Sequence, residues 1–312
     1  MDRKITCKTD ADKKSCCIGA HFSIAKGLDR ALYDAAKYQC TAAQIFTKNA
    51  LTWKERTVSA REIERFEQAR IKTGIRKIAS HASYLINLAT HDRKKHDLSC
   101  HGLKQELHRS ALLDIAYVVL HPGSHMGSGE TTSIDRIAER INSIFTETKT
   151  LKPRLLLETT AGQGSSVGHT FEQLASILEK IEDQDRIGVC LDTSHVFAAG
   201  FDIRTPASYR KTIQRFDSVI GLHHLHFIHL NDSKTRLGSR VDRHEHIGRG
   251  FIGLKAFASF MNDMRLFDIP KIIETPKFQK GKDGDKINLE QLRSLIHPLP
   301  VRKPSQPGNF LK

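Results

Sequence analysis

The sequence predicts an α/β fold, a single (β/α)8 barrel of the TIM type with its chemistry at the C-terminal face of the strands. Three observations predict it. Eight short apolar or β-branched runs recur along the chain, each too uniform for a half-exposed antiparallel strand and suited to a parallel sheet covered on both faces. Stretches of helical period alternate with them. The 312 residues leave room for the about 250 that such a barrel requires. An open doubly wound sheet is the competing arrangement, but no G-x-G-x-x-G follows the first run, which weakens a dinucleotide-binding reading.

The strand runs fall at residues 17–20, 43–46, 77–80, 117–120, 154–157, 188–191, 226–228 and 270–273. Between them, Ala25, Leu28, Ala31, Leu32 and Ala35 recur at helical spacing. So do Ile134, Ile137, Ala138, Ile141, Ile144 and Phe145, and then Phe171, Leu174, Ala175, Leu178 and Ile181. Ile213, Phe216 and Ile220 mark a helix before the seventh strand; Leu254, Phe257 and Phe260 mark one after it, and Leu289, Leu292 and Ile296 the last. Ser59 with Glu62 and Thr170 with Gln173 have capping-box spacing, and Gly74 stands where a helix should end.

Composition narrows the function. Hydrophobic residues make up 39% of the chain and charged residues 27%, a globular balance. No run reaches the about 18 to 20 apolar residues of a membrane span, and residues 1–14 lack the apolar core of a secretory signal. Six cysteines without a C-x-x-C pair read as reduced thiols, the adjacent Cys16 and Cys17 included. The expectation is an intracellular monomer with no membrane partner. Lys and Arg outnumber Asp and Glu by 49 to 35, a net charge of +14 that favours a polyanionic partner, nucleic acid first. Residues 1–15 read as a flexible basic extension, 16–297 as the barrel domain, and 298–312 as a flexible tail rich in Pro, Lys and Arg.

Catalytic groups of such a barrel come from the C-terminal ends of different strands. The third strand ends in His81, the fourth in His121, the fifth in Glu158, the sixth in Asp192, the seventh in His229 and the eighth in Glu274. One such residue is ordinarily a cap or a hydrogen-bonded surface group. Six in register are different, because gathering so many titratable groups at one mouth is unfavourable unless cations compensate. His195 follows three residues after Asp192, at the start of the next loop, and Asp242 and His244 stand two apart, so an extended segment turns them the same way. Five imidazoles and four carboxylates result. At about three protein ligands per catalytic zinc, they suggest three ions, Zn2+ with Mn2+ as a substitute. Glu158 or Glu274 would bridge two of them. Clustered divalent ions serve phosphoryl chemistry, and with the basic chain they point to phosphodiester hydrolysis in a nucleic acid.

At these residues the sequence resembles the endonuclease IV family of abasic-site endonucleases. The strings that carry the resemblance are FTKN at 46–49, SYLINL at 83–88, HPGSH at 121–125, TAGQGS at 160–165, GVCLDTSH at 188–195, HLNDSK at 229–234 and GSRVDRH at 238–244. The resemblance implies one zinc held by His81, His121 and Glu158, a second shared by Glu158, Asp192, His229 and Glu274, and a third held by His195, Asp242 and His244. It implies hydrolysis 5′ of abasic sites in double-stranded DNA, leaving a 3′-hydroxyl and a 5′-deoxyribose phosphate, with trimming of 3′-blocked breaks and no nucleotide cofactor. Glu158 and Glu274 would be the catalytic carboxylates, Glu274 orienting the attacking water. Tyr84 matches a side chain that fills the gap in the base stack.

The chain departs from the family at Leu51, where an arginine usually fills the stack, and in HASY at 81–84, where an acidic residue often follows the histidine. Lys48, Arg240 and Arg243 read as phosphate contacts. Two other functions compete: a metal-dependent sugar isomerase on a related barrel, and a non-catalytic DNA-damage binder. The first needs neither the third ligand set nor +14; the second has no reason to keep nine ligands together.

Overall fold

A computed structural model describes residues 16–297. The expected tails, 1–15 and 298–312, lie outside the described residues. Eight parallel strands close into a barrel: β1 (Ile18–Phe22), β2 (Ala42–Ile45), β3 (Lys77–His81), β4 (Tyr117–Leu120), β5 (Arg154–Glu158), β6 (Ile187–Asp192), β7 (Leu225–His229) and β8 (Lys271–Ile273). They follow one another in order round the ring, and β8 pairs with β1 to close it. The expected runs fall on these strands, with ends differing by one or two residues.

Strand alternation sorts each strand's residues into two cores. Ala43, Ile45, Ile78, Val118, Leu155, Leu157, Val189 and Ile228 pack outward against the helices. Ala42, Ala79, Val119, Leu156, Cys190, Phe227 and Ile272 form a separate cluster that fills the barrel interior. Two residues beyond each of these plugs, on the same inward face, stand Gln44, His81, His121, Glu158, Asp192, His229 and Glu274. The site is thus the next layer of the barrel filling, made polar.

Helices α1 (Leu28–Lys37), α2 (Ala60–Thr73), α3 (Arg93–Leu112), α4 (Glu130–Glu147), α5 (Phe171–Leu178), α6 (Thr193–Ala199), α7 (Pro206–Val219), α8 (Leu254–Asn262) and α9 (Gly284–Ser294) surround the strands. Ser59 and Glu62 cap α2 reciprocally, and Gly74 ends it in the left-handed region at φ 70°. At α5 only half the expected box forms. Thr170 caps Gln173 N–H, but the Gln173 side chain accepts from Gly168 and His169 instead.

The apolar pattern does not reveal α3. Its buried face mixes Leu103 and Leu107 with Ser99, Gly102, Glu106, Arg109 and Ser110, so the period is blurred. Glu106 and Arg109 are satisfied inside: Arg109 donates to Glu106 at 2.8 Å and to Thr47 Oγ1 at 2.7 Å. No described helix is long and apolar enough to cross a membrane.

Candidate metal centre

All nine predicted ligands meet at the C-terminal mouth. Glu158 is fully buried, and its two oxygens look in different directions. Oε2 lies 3.3 Å from His81 Nε2 and 3.0 Å from His121 Nε2. Oε1 lies 2.8 Å from His229 Nδ1. On the far side, Glu274 Oε2 is 3.2 Å from that same His229 nitrogen. Asp192 Oδ2 stands 3.8 Å from His229 Nδ1 and 3.7 Å from His244 Nε2. Asp242 spans the last two imidazoles, with Oδ2 3.2 Å from His195 Nε2 and Oδ1 3.5 Å from His244 Nε2.

Four sets therefore have ligand atoms within 4.8 Å of one another: His81, His121 and Glu158; Glu158, Cys190 and His229; Glu158, Asp192, His229 and Glu274; and Asp192, His195 and His244, with Asp242 in none of them. Asp192 belongs to two of them, a sharing the strand-end pattern did not suggest. Its carboxylate also caps α6, because Oδ1 accepts the His195 N–H at 2.9 Å. His195 itself lies within α6, not at the start of a loop as its position after the strand suggested. The cap starts a helix at once and turns the imidazole back toward the mouth.

The donor set fits cations. Burial alone would lower the pKa of His195 and His229, yet both are raised well above the ordinary histidine range. Asp192 and Asp242 outweigh burial for His195, and Cys190, Glu274 and Glu158 do so for His229. Burial would raise Glu158 and Glu274, yet both are held well below the usual carboxylate range, chiefly by His229. A buried group of carboxylates this dense calls for positive charge beside it. The buried Nε2 atoms of His195 and His244 hydrogen-bond to nothing, as uncommitted ligand nitrogens would.

Five groups that sequence reasoning missed hold the candidate ligands in place. The Thr159 carbonyl stands 2.8 Å from His195 Nδ1, and the Ala82 carbonyl 2.7 Å from His81 Nδ1. Asn231 donates to Asp192 Oδ2 at 2.7 Å and accepts the Glu274 N–H at 2.7 Å. Gln44 and His21 surround Glu274 Oε1, at 2.6 and 3.2 Å. Inward register on β1 and β2 was the available signal for the last two.

Tyr84 is half-exposed on the rim, its ring 5.1 Å from that of His81 and edge-on to Phe46 at 5.5 Å. It separates two clefts. One, of about 370 Å3, is lined by His121, Gln163, His195, Asp242 and Arg243. The other, about 710 Å3 and mostly apolar, is lined by His21, Ile24, Phe46, Leu51 and Glu274. Leu51 is 73% exposed at the tip of the loop after β2. Arg240, with φ 53°, and Arg243 are exposed on the loop that carries Asp242.

Lys48 is a correction. Its ammonium is not offered to a phosphate: the residue is 5% exposed and donates to the Thr52 and Lys54 carbonyls, with Glu55 at 3.6 Å. A buried ammonium must find acceptors, and here they are the carbonyls of the loop that presents Leu51.

Residues 32–295 match the family described as xylose isomerase-like TIM barrel. The chain is 44% identical over 279 residues to a probable endonuclease 4 of Geotalea daltonii, covering 89% of this chain and 98% of that one. The chain belongs to the endonuclease IV family. Membership makes it an endonuclease, and so a hydrolase. The crystal structure of endonuclease IV from Thermus thermophilus is similar throughout, with a TM-score of 0.79 and 36% identity over 89% of this chain and 98% of that one. A D-tagatose 3-epimerase-like protein, at 17% identity, TM-score 0.67 and coverage of 88% and 96%, shares the fold alone.

Proposed function

We propose that this endonuclease IV relative is a DNA-repair enzyme that hydrolyses the phosphodiester 5′ of abasic sites in double-stranded DNA, leaving a 3′-hydroxyl and a 5′-deoxyribose phosphate, and that it also trims 3′-blocked ends. The observation that carries the reading is the divided carboxylate of Glu158, which faces His81 and His121 with one oxygen and His229 with the other. One carboxylate so flanked would serve two ions. His81, His121 and Glu158 would hold the first ion; Glu158, Asp192, His229 and Glu274 the second; His195, Asp242 and His244 the third, with Asp192 close enough to support it.

Zinc ions there, or manganese as a substitute, supply charge to neutralise the phosphate and lower the pKa of water. The residues of the chain do the rest. Glu274 orients the attacking water and takes its proton. The water oxygen bonds to phosphorus as the bond to the 3′-oxygen breaks, and the departing 3′-oxygen takes a proton from solvent to become the 3′-hydroxyl. Tyr84 and Leu51, on the rim of the apolar cleft, fill the gap left in the base stack, and Arg240 and Arg243 hold phosphates. Residues 16–297 form the catalytic domain of an intracellular monomer that needs no nucleotide cofactor. A sugar-isomerase reading would leave His195, Asp242, His244 and the charge of +14 without a role.

The test combines metal analysis with incubation on a duplex oligonucleotide carrying one abasic analogue. The expected result is about three ions per chain and cleavage immediately 5′ of the analogue. Binding should weaken with salt at a log–log slope of roughly −0.9 per phosphate contact. One ion or fewer per active chain overturns the three-ion reading; a fully loaded protein that leaves the abasic duplex intact overturns the reaction.

A further inference from the structure

We infer that Gln44 is a positioning residue that sets the tautomer of His229 and so turns the lone pair of its Nδ1 toward the ligand cluster. Gln44 is fully buried on the inward face of β2, two residues above the interior plug Ala42. Its amide nitrogen lies 2.6 Å from Glu274 Oε1, and its amide oxygen 2.8 Å from His229 Nε2. One side chain thus joins two residues of the same candidate ligand set.

The chemistry of the three groups leaves one consistent arrangement. An ionised carboxylate only accepts hydrogen bonds. The Gln44 NH2 must therefore face Glu274, which fixes the orientation of the whole amide. Its carbonyl then faces His229 Nε2, and a carbonyl only accepts, so Nε2 must carry the proton. A neutral imidazole with N–H at Nε2 has its lone pair at Nδ1. That nitrogen is the one 2.8 Å from Glu158 Oε1 and 3.2 Å from Glu274 Oε2. His21 Nδ1 lies 2.9 Å from the same Gln44 nitrogen and 3.2 Å from Glu274 Oε1, so β1 adds a further polar contact to this seam. The whole seam from β1 to β2, which supplies no ligand, is thereby spent on orienting those supplied by β7 and β8.

The inference rests on the metal reading of the site, and its test separates the two. Wild type, Gln44→Leu and Gln44→Met are purified with their metal. Leucine and methionine fill similar space without the amide, and methionine adapts to irregular gaps if leucine disturbs packing. Metal per chain and the rate of release to a chelator are measured with a zinc-sensitive dye, and thermal unfolding checks that each variant folds. Ring 15N shifts of labelled histidine report which nitrogen of His229 is protonated. We expect release about 10- to 100-fold faster in the variants, the range for losing a partner that orients a metal-bound histidine, and an Nε2–H tautomer in the wild type that the variants lose. Folded variants that release metal at the wild-type rate, or an Nδ1–H tautomer in wild-type His229, overturn the inference. A wild type that holds no metal overturns the metal reading instead, and the 15N shifts then decide the role of Gln44 alone.

Discussion

Asp232 accepts the backbone N–H of Gly250 at 3.0 Å, and the same carboxylate takes the N–H groups of Gly248, Ile252, Gly253 and Ser233. A Cβ at position 250 would strike the Ser233 carbonyl and the Asp232 carboxylate, so only glycine lets the chain come this close. Next to this anchor, residues 232–233 pair antiparallel with 244–245, which brings His244 over the mouth. The loop that carries Asp242 and His244 therefore ends in a segment, residues 248–253, that one buried aspartate ties down.

Asp232→Ala strands several buried donors at once, each worth about 1 to 3 kcal/mol if left unpaired. Water will reach some of them, so we expect a loss of about 3 kcal/mol, with amide exchange accelerated over residues 244–253. Urea unfolding and hydrogen exchange read the two effects. Exchange at the wild-type rate in that segment would show that the carboxylate does not hold the loop.

Glu158→Gln keeps the size of the side chain and removes its charge. We expect cleavage of abasic duplex to fall by at least about 10³-fold, since charge stabilisation by divalent ions contributes several kcal/mol. Binding of the duplex should persist. Single-turnover cleavage beside a binding titration makes the comparison, and a near-normal rate would remove Glu158 from the centre.

Tyr84 carries the only aromatic ring exposed between the two clefts among the described residues that line them, whereas Leu51 has neither a π-face nor charge. Base–aromatic stacking contributes about 1 to 3 kcal/mol, so Tyr84→Ala should weaken abasic-duplex binding by about 5- to 150-fold without changing metal content. Leu51→Arg should tighten binding by adding a planar cation. Titrations of the three proteins on one duplex at one salt concentration decide it. Unchanged affinity in Tyr84→Ala would make Tyr84 a packing residue of the rim.

At the opposite end of the barrel, Arg154 Nη1 donates to His226 Nε2 at 2.6 Å, and Tyr117 stacks on the same imidazole. Burial, and then Arg154, push the His226 pKa down to about 4 from 6.5. Above pH 6.5 both folded and unfolded chains hold this histidine neutral, and its contribution to stability is complete. As pH falls from 6.5 toward 4, the unfolded chain binds a proton that the folded chain refuses, so stability declines. His226→Gln keeps an acceptor for Arg154 and does not titrate. Its unfolding free energy should fall less steeply than that of the wild type over this range in urea titrations. Parallel curves would mean that His226 does not contribute to acid sensitivity.

Six of the candidate ligands were legible because each obeys a local rule. His81, His121, Glu158, Asp192, His229 and Glu274 lie on or just past strands whose apolar runs are visible in the sequence, and parity along a strand decides which face a residue takes. Helix α3 was not legible, since Glu106 and Arg109 occupy its buried face and are satisfied by Thr47, by each other and, for Arg109, by Glu55. Lys48 was misread for the same reason: the sequence shows a cation in a loop, while its acceptors are set by the folded path of that loop.

By itself, then, the sequence determined the barrel, the mouth at which the candidate site lies and the identity of the nine groups that meet there, because the strand period of two and the spacing of strand–helix units are local properties of the chain. Only the tertiary structure decided how those groups share partners. The bond from Gln44 to His229 spans 185 residues of chain and that from Gln44 to Glu274 spans 230. The two oxygens of Glu158, the double membership of Asp192 and the inward turn of Lys48 likewise depend on which side chains meet across the closed ring. No local pattern records that, because hydrogen-bond direction and burial are settled between strands and not along them.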